Sequence, residues 1–538
     1  MSEIELKFGV PEEAVVAIER ALRRRGGRAR AIESHYWDSA DRRLAKAGMS
    51  LRLRKAGGRW EQTVKAAGPS PAERLEETVP RPGRWEPEGP PPNLALHAGT
   101  PAEAVIAAAL ASRHGVMAPL VPVYTSVIRR LALDIELNGA RIEVAFDRGT
   151  IHAGERSQSV CEVEPELKHG DVTALVEVAR AGVEAHGLWL STTSKAARGD
   201  RLAHPVDAPR AVKARPAQLD DDGSGPEIFR AVIRSCLDQV LANASVVADG
   251  DLDDEAIHQL RVGVRRMRTA WRELAGWRSP LAAGWEAPAA ELFRALGGYR
   301  DRRTVAAAMQ RLLADAGSPG PALRAAATGD DVDPLMWVRG RPFQHALLDV
   351  LAFLLAPPPL RASDLADNAA PAAAAAPTPG AAPAPVTAPA PAGADRDPDI
   401  EADAATATAR PTRVVAAHLA KLHARLKRDA RRFSKLDELE RHGVRKRLKR
   451  LRYLGELVGP LYRSGRVERF LDQLEPAQDE LGHYMDLVVA LRLAHDVIDS
   501  GDPRGWFNVG WLKAQLPGAV ARCAKSLRRV AAARPFWR

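Results

Sequence analysis

Near the start of the chain, Glu3-Ile4-Glu5-Leu6-Lys7-Phe8 alternates charged and apolar residues, the period of a β-strand with one charged and one apolar face. The pattern returns in Leu51-Arg52-Leu53-Arg54, Glu61-Gln62-Thr63-Val64-Lys65, Arg74-Leu75-Glu76 and Arg141-Ile142-Glu143-Val144-Ala145-Phe146-Asp147. From Cys161 to Lys168 it puts Glu162, Glu164, Glu166 and Lys168 on one face. One such strand alone reads as a sheet with a solvated outer side. Several that agree, each opposing a face of Ile, Leu, Val and Phe, suit a closed sheet with its charges inside and helices such as Ala14 to Arg24 packed outside. Inside such a barrel, carboxylate oxygens hold a hard divalent cation such as Mg2+ or Mn2+, while Arg and Lys meet phosphate oxygens. A polyphosphate ligand needs both.

A second constellation repeats. His258, Arg261, Arg265 and Arg268 stand at relative positions 0, 3, 7 and 10, and so do His442, Arg445, Lys449 and Arg452. At about 100° per residue these positions fall in one stripe of a helix. Leu260, Val264 and Met267, matched by Val444, Leu448 and Leu451, form an apolar face beside it. Downstream, Leu296-Gly297 with Asp301 matches Leu481-Gly482 with Asp486, a register that indicates duplication. Stacked cations repel one another, and a flexible polyanion reverses that repulsion. Aromatic residues are only 5% of the chain, too few for a base-stacking platform, which argues against single-stranded nucleic acid.

The elements that carry these residues sit in a chain of 538 residues, 46% apolar, enough for at least two cores. Its formal charge of +10 is local: +2 over residues 1–210, −5 over 211–410 and +13 over 411–538. The basic excess favours an anionic partner. Three cysteines without a CxxC pair argue against a disulfide framework or zinc module and fit a reducing compartment. The first residues lack a signal-peptide pattern, and no run approaches the roughly 20 apolar residues that span a bilayer. The chain therefore reads as soluble and cytoplasmic, with no membrane partner. Pro216 and the acidic run from Asp220 mark a boundary, and residues 356–410 turn Ala/Pro-rich, the composition of a disordered linker.

The order of the strand motifs carries a family resemblance. ExExK at Glu3, Glu5 and Lys7 is followed by Tyr36-Trp37-Asp38, Arg52 and Arg54, Gln62 to Lys65, Arg74 with Glu76-Glu77, Glu143 to Gly149, Glu162 to Lys168, and Ser194-Lys195-Ala196-Ala197-Arg198-Gly199. Residues 1–205 resemble a CYTH domain of the triphosphate tunnel metalloenzymes. The resemblance implies an eight-stranded antiparallel tunnel with flanking helices. It implies that Glu3 and Glu5 bind one metal, that Lys7, Arg52, Arg54, Lys65, Arg129 and Lys195 hold phosphates, and that Glu162, Glu164 and Glu166 bind a second metal. It also implies that Glu76, Glu143 and Glu164 are the candidates for the catalytic role of orienting or activating water. Pro165 departs from the family pattern, because proline removes a ladder donor and is expected at an edge or bulge.

Residues 227–538 resemble a CHAD domain, an all-helical duplicated bundle with repeats at 227–355 and 411–538. That likeness implies long-chain polyphosphate binding along the two basic stripes, and association with polyphosphate granules. Together the two halves imply an α+β multidomain inorganic triphosphatase using Mg2+ or Mn2+. In-line attack of water on a terminal phosphorus is the expected chemistry. No GxxxxGK[ST] loop or HExxH helix points elsewhere. The alternatives are another triphosphate in the same tunnel (thiamine triphosphate or a nucleotide, including cyclisation), a non-catalytic polyphosphate-binding protein, and duplex backbone binding by the basic C-terminal part.

Overall fold

The computed structural model describes residues 2–56, 59–67, 73–81, 91–111, 117–205, 211–220, 222–277, 284–300, 305–320, 323, 333–356, 410–499 and 501–538. The expected linker at 356–410 lies, but for its two end residues, outside the described residues, as does Asp301.

Among the described residues the first half is built on ten strands: β1 (Ser2–Glu5), β2 (Phe8–Gly9), β3 (Arg28–Ser39), β4 (Met49–Ala56), β5 (Arg59–Ala67), β6 (Glu73–Pro80), β7 (Leu120–Leu137), β8 (Ala140–Ala153), β9 (Arg156–His169) and β10 (Trp189–Leu190). They form one sheet in the order β1-β6-β5-β4-β3-β7-β8-β9-β2-β10, and a further β1–β9 pairing closes it. β1 and β2 are two parts of one strand, since Glu5 pairs with Glu166 and Phe8 with Val163 in a single antiparallel register along β9. The break falls opposite Pro165. Its carbonyl accepts the Leu6 N–H at 3.0 Å, but its nitrogen has no proton to return. Counted so, the ring has the eight antiparallel strands expected, with two-residue β10 added outside β2. Pro165 is not at an edge or a bulge: the irregularity in the β8–β9 ladder lies between Arg141 and Ile142.

Apolar outward residues such as Leu131, Ile142, Phe146 and Val163 share a core with α1 (Val15–Arg24) and α4 (Val172–His186). Two further helices border the tunnel: short α2 (Arg43–Lys46), whose Leu44 and Ala45 N–H groups both bond Asp38, and α5 (Lys195–Ala203). Between α2 and α5 the chain carries α3 (Pro101–Leu110), which covers the apolar face of β4 and β5.

The second half is helical. Its first repeat comprises α6 (Gly225–Ala248), α7 (Asp254–Glu273), α8 (Glu286–Arg300), α9 (Ala306–Asp315), α10 (Pro334–Arg339) and α11 (Arg341–Leu355). The second comprises α12 (Pro411–Arg432), α13 (Glu438–Val458), α14 (Ser464–Asp499) and α15 (Gly505–Ala532). α6 is long and apolar enough by composition to cross a membrane, contrary to the expectation from sequence, yet 72% of its most apolar window is buried in the protein. Its apolar faces are used in the bundle core, which runs without interruption into the core outside the sheet.

Candidate active site and basic face

A cavity of about 1040 Å3 runs inside the barrel. On one wall Glu5, Glu166 and Glu143 lie in a single row across β1, β9 and β8, as cross-strand partners in the two ladders. Four strands away around the eight-stranded ring, β4 turns Arg52 and Arg54 into the same space. Lys65 of β5 and Arg130 of β7 join them. Arg54 pairs with Glu61 at 2.9 Å, and Glu76 sits between Lys65 and Arg52, accepting from Arg52 at 3.3 Å. The Nε atoms of Arg52 and Arg54 are nonetheless buried without a hydrogen-bond partner among the described residues, an arrangement that favours an anion with oxygens to fill them.

Deeper in the wall, Asp147, Glu162 and Glu164 offer carboxylate oxygens all within 4.8 Å of one another. All three are at least nine-tenths buried, and cations hold them. Lys7 pairs with Glu162 and Glu164, and Lys195 bonds Asp147 at 2.7 Å and Glu164 at 3.0 Å and also pairs with Glu162. Arg130 contacts Asp147 at 2.6 Å and Glu164 at 2.5 Å, and Arg198 contacts Glu162 at 2.9 Å. Burial opposes ionisation of Asp147, but Lys195 and Arg130 outweigh it and lower its pKa to about 2. For Glu162, likewise, burial is overcome by Lys195, Lys7 and Arg198, which hold it well below the usual carboxylate range. An all-oxygen donor set of this kind fits a hard divalent ion such as Mg2+ or Mn2+.

Lys195 reaches this cluster from the first turn of α5, which Ser194 caps by accepting the Ala197 N–H at 3.1 Å. α5 comes close to the sheet because Gly199 has no side chain: a Cβ there would lie 2.2 Å from the Tyr124 ring.

The structure brings Glu5, Lys7, Arg52, Arg54, Lys65, Glu76, Glu143, Glu164, Glu166 and Lys195 to one cavity, with Glu162 directly behind. The Glu3 side chain lies outside the described residues. Arg129 is a correction. Its side chain is 55% exposed on the outer surface, 3.1 Å from Glu19 of α1, and its neighbour Arg130 occupies the inward position. Alternation allows only one of two adjacent residues to face inside. Arg130, Asp147 and Arg198 are site residues that sequence reasoning did not assign. Leu131, Leu133 and Ile135 on the outer face were the signal that even-numbered β7 positions point inward.

In the helical half, α7 and α13 pack together, and Arg450 of α13 bonds Glu273 of α7 at 2.7 Å. All eight stripe residues are half-buried rather than solvated, and the stripes approach each other around Lys449, Arg265 and Arg445. Lys449 has its pKa driven far down by burial, then by Arg265, Arg445, Arg300 and Arg261, cations drawn from both repeats. His258 is lowered by burial and by Arg300 and Lys449; His442 by burial and by Lys446, Arg445 and Arg265. The Nε atoms of Arg268 and Arg445 are buried without hydrogen-bond partners among the described residues. Arg261 donates to the Phe293 carbonyl at 2.9 Å and passes over Gly297, where a Cβ would stand 2.6 Å from its Nη1. Arg452 differs: Glu456 at 2.6 Å already meets its charge, and Gln478 at 2.5 Å holds it in place.

A closed antiparallel tunnel with a charged interior, joined to a duplicated helical bundle with a shared basic face, is the class this molecule represents. Residues 1–199 match the family model of the CYTH domain and residues 231–495 that of the CHAD domain. The chain is a CYTH domain followed by a CHAD domain. Among curated relatives, an inorganic triphosphatase of Haemophilus influenzae is 29% identical over 167 residues, which is 30% of this chain and 44% of that protein. The chain thus matches less than half the length of that relative. Among solved structures, the CHAD domain of the plant Ricinus communis is 23% identical, covering 59% of this chain and 96% of its own, with a TM-score of 0.38. A candidate adenylyl cyclase from Hippeastrum, described as having a dominant triphosphatase activity, is 16% identical, covering 37% of this chain and 95% of its own at a TM-score of 0.27.

Proposed function

We propose that the tunnel hydrolyses inorganic triphosphate to pyrophosphate and phosphate with Mg2+ or Mn2+, and that the paired stripes of the helical half bind long-chain polyphosphate. One observation carries the first part: on β4 two buried arginine Nε donors, without a hydrogen-bond partner among the described residues, face a row of carboxylates across a single cavity. Such a cavity suits a ligand whose negative charge is bridged by a cation. The inorganic triphosphatase named among the relatives supports the choice of substrate.

In this reading Arg52, Arg54, Lys65 and Arg130 grip phosphate oxygens, while Glu76 orients Arg52 and Lys65. Glu5 and Glu166, with oxygens from the Asp147/Glu162/Glu164 cluster, hold the metal, which when bound neutralises charge on the phosphates. Glu164 is held by three cations and Glu76 by two. Glu143 has no ion pair among the described residues and faces the cavity, so it is the carboxylate placed to take a proton from attacking water. Arg265, Arg445 and Lys449 form the centre of the polyphosphate face, with His258 and His442 at its rim.

The test is a comparison of phosphate release from tripolyphosphate, pyrophosphate, ATP and thiamine triphosphate, with polyphosphate retention measured separately. Release mainly from tripolyphosphate supports the reading. Release mainly from ATP or thiamine triphosphate keeps the site and changes the substrate.

A further inference from the structure

We infer that α6 of the helical half is a working wall of the tunnel, and that Ser245 on it is a positioning residue for Lys195. The inference rests on the hydrolysis reading above. Ser245 is fully buried. Its Oγ donates to the Leu241 carbonyl at 2.7 Å and accepts the backbone N–H of Thr192 at 2.8 Å. Thr192 opens the short segment that ends at Ser194, the cap of α5, and Lys195 follows at once.

The same segment is anchored at its other end. The Leu190 N–H donates to Oε1 of buried Gln344 on α11 at 2.8 Å, and the Ser191 N–H donates to the Lys7 carbonyl at 2.9 Å. Arg339 lies 3.7 Å over the Trp189 ring and donates to the Ala248 carbonyl at the end of α6. Chain 189–194 is therefore held by three helices of the second half, α6, α10 and α11, and the ammonium it delivers lies among Asp147, Glu162 and Glu164. Ala242 and Val246, one helical turn apart on α6 and on either side of Ser245 in sequence, line the tunnel cavity itself. A tether between independent domains needs none of these residues in the cavity.

The test uses the full chain. Ser245→Ala removes the acceptor for Thr192, and Ser245→Thr restores a hydroxyl. With tripolyphosphate and Mg2+, Ser245→Ala lowers kcat by about tenfold, the rate equivalent of one hydrogen bond, with KM within about twofold. Ser245→Thr recovers most of the loss. Polyphosphate retention and melting temperature of Ser245→Ala stay close to wild type, and hydrogen exchange of the 191–199 amides rises. Unchanged kcat together with unchanged exchange in a folded Ser245→Ala protein overturns the inference, as does a loss that tracks melting temperature and is not rescued by threonine. Absence of turnover in wild type overturns the hydrolysis reading instead, and exchange of the 191–199 amides then decides the inference alone.

Discussion

Arg129 and Arg130 are adjacent in sequence and end on opposite sides of a wall. Arg129 pairs with Glu19 at the surface, while Arg130 reaches Asp147 and Glu164 inside. Arg130→Ala is expected to lower kcat/KM for tripolyphosphate by about 10- to 100-fold, the range for a lost charged hydrogen bond, while Arg129→Ala stays within about twofold. Steady-state kinetics on both variants checks this. Asp147 brings a pH dependence. Its pKa falls from 3.8 to about 2 on folding, so it contributes about 2 kcal/mol that is fully present above pH 4 and is lost as pH falls toward 2. Melting temperature of wild type should therefore drop across that window. Asp147→Asn should melt lower at neutral pH, because Arg130 and Lys195 each lose one of their carboxylate partners, but should change less between pH 4 and 2. The charged faces were legible because alternation is a strict period. The inward position of β7 was not taken from them, because Arg129 and Arg130 satisfy the residue type equally and only the apolar run beyond separates them.

β1 and β2 show how one residue divides an element without moving it. Pro165 withholds the donor that Leu6 would have received, yet the register on β9 continues from Glu166 to Glu162. Pro165→Val should join the two segments, leave tripolyphosphate turnover within about twofold and hold or slightly raise the melting temperature. A tenfold change in turnover would mean that the break itself serves catalysis. The stripes on α7 and α13 were legible as faces, because 3.6-residue periodicity fixes which side chains align. That the two faces meet was not, because periodicity says nothing about the partner. The convergence rests on contacts such as Arg450 with Glu273, which no repeat pattern marks. Reversing Arg265 and Lys449 to Glu should abolish polyphosphate retention and leave tripolyphosphate hydrolysis within about twofold. Joint loss in a folded variant would mean one composite site.

The two halves share one continuous core and meet at the tunnel wall, a feature absent from the sequence reading because the contacts are apolar surface and backbone bonds rather than motifs. The acid cluster is internally balanced by Lys7, Lys195, Arg130 and Arg198. Removing metal with EDTA should therefore abolish turnover while shifting the melting temperature by only a few degrees. The most direct test of the whole account is phosphate release from tripolyphosphate by wild type and Glu5→Gln, each with Mg2+, Mn2+ or EDTA. The account predicts metal-dependent release of phosphate and pyrophosphate by wild type and its loss, about 100-fold or more, in a folded Glu5→Gln protein. Undiminished release by Glu5→Gln, or equal release in EDTA, would contradict it.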